Sequence, residues 1–411
     1  MEPKVEIYKH SNNIAMANLG TWLINAVENY EVIKKRMKEG TLESLGELTN
    51  VHKDRPAVVI GSGPTLEMCL PYLKDFIAKT NAVVYCGMSN IGILIENTII
   101  PDYMCVYDCR DYPDDARFGI AGLKEVLAEI PLITMPEISR KMIEFWPGKI
   151  YMFMRGTAAR DHHIYTHYLM EFLPLIYVRN PFIEKKLKLG LFNIGCVANI
   201  EAVASAQLGA DPIYLVGVNY GYPDQKLHAN PSVKTAEGWG KSDYQQKRED
   251  LEEVLSRKVY SDGGTLTDYT NVMYKLALLT IWANSPQEFI EVSINDKWGI
   301  LEMLPRMDIK DFLSTGEIPP SLSPPDRVAM QRGYYDKHGY APSDFIPPKG
   351  EKLHLYESLI ADDLKHNILS LRELIELRES SELDNTENKK RLKKVEDSYT
   401  DMFGRSVDAK E

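Results

Sequence analysis

Five consecutive residues, Gly61-Ser62-Gly63-Pro64-Thr65, carry the first chemical signal in this chain. They follow the apolar run Ala57–Ile60, which has the length and β-branched content of a buried strand. Glycines at alternate positions let a backbone turn sharply and approach a ligand closely. Amides of such a turn, and of a helix that follows it, can point at an anion. The dinucleotide fingerprint needs a third glycine where Leu66 stands, and no Walker lysine follows. The loop is therefore neither of the two commonest phosphate binders. A turn that holds a nucleotide phosphate and a tight structural turn both fit it.

Other strand ends supply polar groups suited to a bound nucleotide. Ser89 and Asn90 follow the run Ala82–Cys86, where they suit a helix cap or a bond to a base or ribose. Asp108 closes the run Tyr103–Tyr107, at a place for a ribose hydroxyl or a magnesium ion, while Asp111, Asp114 and Asp115 read as a solvated loop. Asn193, Gly195 and Cys196 lead into a helix, Val197 to Leu208, that Gly209 stops. The run Ile213–Val218 comes next, and then Asn219, Tyr220, Tyr222, Asp224 and His228 within a dozen residues of Gly217. Such a polar strand end fits a reaction centre. His228 is its natural proton carrier, since an unperturbed imidazole titrates near neutrality. A loop histidine held by a structural hydrogen bond is the alternative. Among His162, His163 and His167, the last two share a helix face at i, i+4, but the glutamate of a zincin is missing. Arg155 and Arg160, beside Gly156-Thr157, suit bidentate binding of an anionic group.

Short apolar runs alternating with helical stretches must position these residues. Beyond the runs already named, Leu132–Met135, Lys149–Phe153 and Phe289–Ile294 are continuous rather than alternating, as in strands covered on both faces. The expectation is an α/β fold, a doubly wound, mostly parallel Rossmann-like sheet with helical N- and C-terminal extensions. The expected domains are a helical extension over 1–50, a nucleotide-binding transferase domain over 51–300, a Pro-rich connector over 301–350, and a helix with a charged tail over 351–411. Within the first, 12–39 reads as helix up to Gly40; within the last, Leu364, Ile368, Leu371 and Ile375 form an apolar stripe.

Composition narrows the partners. A net charge of −11 over 411 residues disfavours nucleic acid as a partner. Five cysteines, an odd count without a CxxC pair, read as free thiols in a reducing compartment. The start, Met1-Glu2-Pro3-Lys4, lacks the pattern of a signal peptide, and the apolar run from Ile91 to Tyr107 is broken by Glu96, Asn97, Pro101 and Asp102. A cytoplasmic protein without a membrane span is expected, and a homo-oligomer is compatible with this.

Taken in order, several of these segments resemble one family. They are the Gly61–Thr65 turn, Pro101-Asp102-Tyr103 before the strand ending at Asp108, and the helix from Gly195 to Gly209. The Gly217–His228 segment and the strand Val292-Ser293-Ile294-Asn295 complete the set. The family is the 6-hydroxymethylpterin diphosphokinase MptE-like family, which also contains the central domain of bacterial motility accessory factors. It is similar in turn to the CMP-sialic-acid-dependent sialyltransferases. The resemblance covers residues 50–300 or so. It implies that Gly61, Ser62, Gly63, Pro64, Thr65, Ser89, Asn90 and Asp108 bind the nucleotide of a donor. It also implies that Asn193, Gly195, Cys196, Asn219 and Asp224 face the transferred group. Tyr220 or Tyr222 would match a tyrosine that steadies the leaving phosphate. The sialyltransferases carry a general-base histidine before a late helix, where this chain has Tyr260-Ser261-Asp262-Gly263-Gly264-Thr265. Asp262 replaces it, or His228 takes the role from another loop.

Three functions follow from that resemblance. One is a glycosyltransferase that uses a nucleotide-activated sugar of the CMP-nonulosonate type, with an acceptor the residues do not name. Another is a diphosphokinase moving pyrophosphate from ATP to a pterin alcohol, with magnesium on Asp108. The third is a nucleotide-binding protein without catalysis.

Overall fold

The computed structural model describes residues 25, 29, 32–107, 123–156, 190–192, 196–226, 229, 260–262, 265–295, 297–338, 393, 396, 397, 400, 406 and 408. Nine strands form one sheet: β1 Leu42–Ser44, β2 Ala57–Ile60, β3 Val83–Gly87, β4 Tyr103–Cys105, β5 Leu132–Thr134, β6 Ile150–Met152, β7 Ile213–Val216, β8 Phe289–Ser293 and β9 Arg306–Asp308. Their spatial order is β1-β6-β5-β4-β3-β2-β7-β8-β9. Every pairing in it is parallel, with Val58 of β2 opposite Val84 on one side and Tyr214 on the other. The expected doubly wound sheet is present.

The order of the strands locates the site. From β2 the chain adds β3, β4, β5 and β6 outward in one direction, then returns to lay β7 on the opposite side of β2. The direction of winding therefore reverses between β2 and β7. At such a reversal the connections leave to opposite faces, and a crevice opens beyond the carboxyl ends of the two strands. The Gly61–Thr65 turn leaves β2 there, and the Gly217–Tyr222 segment leaves β7.

Helices hold these strands in place. Helix α1, Thr65–Thr80, buries Leu66, Cys69, Leu73 and Phe76 at three-four-three spacing. Each of those large side chains contributes roughly 1.5–3 kcal/mol by burial. Phe76 meets the edges of Tyr214 and Phe312, each with ring centres 5.1 Å apart. The short helices α2 Ile91–Glu96, α3 Leu123–Glu129 and α4 Arg140–Phe145 serve the β3–β6 half. Helix α5, Val197–Gln207, packs over β2, β3 and β7 and also touches α6, Tyr269–Asn284. Between sheet and helix, every residue from Asn199 to Ser205 is buried. Helices α7 Ile309–Thr315 and α8 Pro324–His338 close the described fold.

The stretch expected as an irregular connector thus contains a strand and two helices. Pro324 and Pro325 open α8 rather than break a chain, because the first helical turn has no amide bond for proline to lose. Residues 32–38 are helical, as expected of that segment, whereas the stripe from Leu364 to Ile375 lies outside the described residues. Two small pairs stand apart from the main sheet. One is parallel, Met154–Gly156 with Gly190–Phe192, and the other antiparallel, Tyr260–Asp262 with Thr265–Thr267. No helix among the described residues is long and apolar enough to cross a membrane.

Candidate active site at the β2–β7 crevice

The two turns at the crevice are locked together by their backbones. Gly61 N–H donates to Val216 O at 2.8 Å, and Gly63 N–H donates to Gly217 O at 2.7 Å. A Cβ on Gly61 would lie 2.5 Å from Gly217 O, and one on Gly63 would lie 2.3 Å from Asn219 Oδ1. Gly217 itself sits at φ +69°, in the left-handed region that favours glycine. Asn219 Oδ1 then accepts from Thr65 N at 3.2 Å, and the Asn219 amide also bonds the Thr65 hydroxyl. The amides of Gly61, Gly63 and Thr65 are therefore engaged within the protein. Ser62, half-buried, keeps an amide and a hydroxyl that bond no described residue, while its carbonyl accepts from Ala229 N at 2.9 Å.

Beside this junction lies a cavity of about 240 Å³, lined by Pro64, Thr65, Glu67, Met68, Pro223, Asp224 and Lys226. It opens at the amino end of α1, where the helix dipole favours negative charge. Lys226 Nζ reaches Glu67 Oε2 at 3.2 Å across it, and Lys297 Nζ reaches Asp224 Oδ1 at 2.7 Å. Asp224 adopts φ 54°, which turns the chain at the rim. These pairs are partly exposed, so an incoming anion competes for the lysines at little cost. The arrangement suits a phosphate group beside the Lys226 ammonium.

The two tyrosines point inward. Tyr220 is buried, and its hydroxyl donates to Asn199 Oδ1 on α5 in a short bond. Tyr222 is buried as well, and its hydroxyl donates to Asp268 Oδ2 at 2.5 Å. Asp268 also caps α6, accepting from Asn271 N at 2.9 Å. The hairpin that carries Asp262 is stitched to the same segment: Thr267 Oγ1 donates to Tyr220 O, and Tyr222 N donates to Leu266 O. The fold thereby brings the backbone of Asp262 to the region of Tyr220 and Tyr222. Cys196 stands at the start of α5, and burial pushes its thiol up to about 12 despite favourable amides from Asn199 and Ala198. Burial likewise holds the Tyr220 phenol well above its ordinary range.

Of the nucleotide candidates, Asn90 is buried and donates Nδ2–H to Ile60 O at 2.6 Å, while Ser89 is half-buried beside it. Asp108, Asn193, Gly195 and His228 lie outside the described residues, as do Arg160, His162, His163 and His167. Among the described residues, no group of three or more His, Cys, Asp or Glu side chains is placed to share a metal ion. Two features were not singled out from the sequence. Lys226 and Glu67 face the cavity from segments 159 residues apart, a meeting no local pattern announces. Glu201 lies buried in α5, and its signal was a lone carboxylate in the otherwise small and apolar run Ile200–Ala204.

Residues 28–225 match the model of a family described as 6-hydroxymethylpterin diphosphokinase MptE-like. No curated protein sequence matches the chain. Among solved structures, the MAf glycosyltransferase from Magnetospirillum magneticum AMB-1 is matched at 14% identity with a TM-score of 0.43. That match covers 89% of this chain and 51% of the other, so this chain spans about half that protein's length. The family span includes the strands from β1 to β7 and ends on the rim of the cavity, at Gln225. Over residues 28–225, the chain is similar to the 6-hydroxymethylpterin diphosphokinase MptE-like family.

Proposed function

We propose that the chain is a nucleotide-dependent transferase whose donor phosphates occupy the cavity at the amino end of α1. The single observation behind this is the cavity at that helix end, lined by Lys226 and lying at the reversal point of the sheet. A helix dipole and a cation converge there, and both favour a bound anion. The preferred reaction is glycosyl transfer from a nucleotide-activated sugar of the CMP-nonulosonate type. In it Asn193, Gly195, Cys196, Asn219 and Asp224 would border the transferred group, and His228 or Asp262 would act as general base. The family's own description favours a second reading, pyrophosphoryl transfer from ATP to a pterin alcohol, with magnesium on Asp108.

Thermal denaturation with CMP, CDP, GTP and ATP, each with and without magnesium, separates these readings. Stabilisation by CMP without metal is the expected result for the sugar transferase. Stabilisation by magnesium-ATP alone selects the diphosphokinase. In either case His228→Ala or Asp262→Ala should lower turnover at least tenfold for the residue that moves the proton. A chain that binds nucleotide but loses nothing in either variant is a nucleotide-binding protein without this catalysis.

A further inference from the structure

Glu201 makes no hydrogen bond or ion pair with any described residue, yet it is 1% exposed. It projects from α5 toward the carboxyl end of β3, where its Oε1 would stand 3.2 Å from a Cβ built on Gly87. Its Oε2 is buried without a partner. A second unpartnered oxygen occurs close by in the fold. Asn90, in the turn after β3, gives its Nδ2 to Ile60 O, a carbonyl that can only accept, so Oδ1 must face the other way. That Oδ1 is also buried without a partner. An unsatisfied buried polar atom costs about 1–3 kcal/mol. Two of them at the carboxyl end of β3 mark a place built for something else to bond.

Position along the sheet says what that is. The cavity at α1 lies at the β2–β7 crevice, and Glu201 and Asn90 lie one strand further over, at β3. A nucleotide with its phosphates at the helix end extends its nucleoside across the carboxyl ends of the neighbouring strands. A carboxyl group and an amide oxygen are poor partners for phosphate and good ones for a hydroxyl or an amino group.

We infer that Glu201 is a binding residue for the nucleoside part of the donor, where with Asn90 Oδ1 it accepts hydrogen bonds from a ribose hydroxyl or from the exocyclic amine of a base. This inference rests on the nucleotide-dependent transferase reading. Burial among Cys86, Cys105, Cys196 and Tyr220 disfavours a charge on the carboxyl, which therefore offers one acceptor and one donor. Such a pair discriminates between ligands because the wrong partner leaves a buried polar group unpaired.

Calorimetric titration of the full chain with CMP, 2′-deoxy-CMP, UMP, ATP, 2′-deoxy-ATP, ITP and pyrophosphate tests the assignment. Glu201→Leu, close in volume but without hydrogen-bonding atoms, should bind CMP or ATP at least tenfold more weakly. Its affinity for pyrophosphate should change less than twofold. Loss of preference over the 2′-deoxy compounds identifies a hydroxyl as the partner, and loss of preference over UMP or ITP identifies the amine. Glu201→Gln keeps the shape and guards against misfolding; it should alter one of those preferences at least threefold. Unchanged affinity and preference in both folded variants would overturn the role of Glu201 and leave the transferase reading standing. A parent chain that binds none of the nucleotides would overturn both.

Discussion

At the end of β2, the spacing of Gly61 and Gly63 answers to the neighbouring backbone as well as to any ligand. A methyl group on Gly63 meets Asn219 Oδ1 at 2.3 Å and Gly217 O at 2.5 Å, closer than Cβ atoms are found. Gly63→Ala should therefore force the two turns apart and cost about 1–3 kcal/mol, as overpacking does. Urea denaturation measures it, with Gly333→Ala as the control. A Cβ on Gly333 would meet nothing within 4 Å, and the residue lies exposed in α8, so alanine there should stabilise slightly. A Gly63→Ala protein as stable as its parent would mean that the turns part freely. At this scale the sequence showed a glycine turn, and local spacing could not show its second cause. Thr65 and Asn219, which close the contact, are 154 residues apart.

Among the elements, α8 is tied to the fold by a buried ion pair. Arg327 donates to Glu288 Oε2 at 2.6 Å and to the carbonyls of Ser285, Gln287 and Leu322. The two charged side chains are 3% and 8% exposed. Arg327→Met would leave Glu288 buried with Trp282 Nε1, Ser321 Oγ and Leu322 N as its polar partners. Removing one member of a buried pair costs about 3–5 kcal/mol. We expect a large drop in denaturation midpoint and faster amide exchange in α8; a parent-like midpoint would show that apolar packing alone holds the helix. The seven mainly apolar runs read from the sequence all became strands, because short runs of this kind between helical stretches suit a sheet covered on both faces. Strands β1 and β9 went unread. Three residues such as Leu42-Glu43-Ser44 or Arg306-Met307-Asp308 are too few to establish a period.

For the whole molecule, stability against pH reports on its buried acids. Burial raises the Glu201 carboxyl well above its ordinary 4.5, and raises Glu291 too, although Arg306 opposes that shift. Below the ordinary value, both the native and the unfolded chain carry the proton. Above it the unfolded chain releases the proton while the native chain keeps it, so stability falls as pH rises toward the native value. Denaturation across about pH 5 to 8 should show Glu201→Gln losing less stability than the parent over that window. An identical slope in the two proteins would mean that Glu201 ionises normally.

The sequence by itself determined the parallel α/β sheet, the turn after β2 and the family resemblance, because these depend on apolar runs and on residues adjacent in the chain. Tertiary structure decided the rest. Only the return of the chain to lay β7 beside β2 opens the crevice, sets Lys226 against Glu67, and turns the hydroxyls of Tyr220 and Tyr222 inward to Asn199 and Asp268. Only the burial of α5 against β3 makes Glu201 a carboxyl without a partner. Each of these joins residues distant in sequence, and their meeting is fixed by the order of strands, to which local pattern is blind.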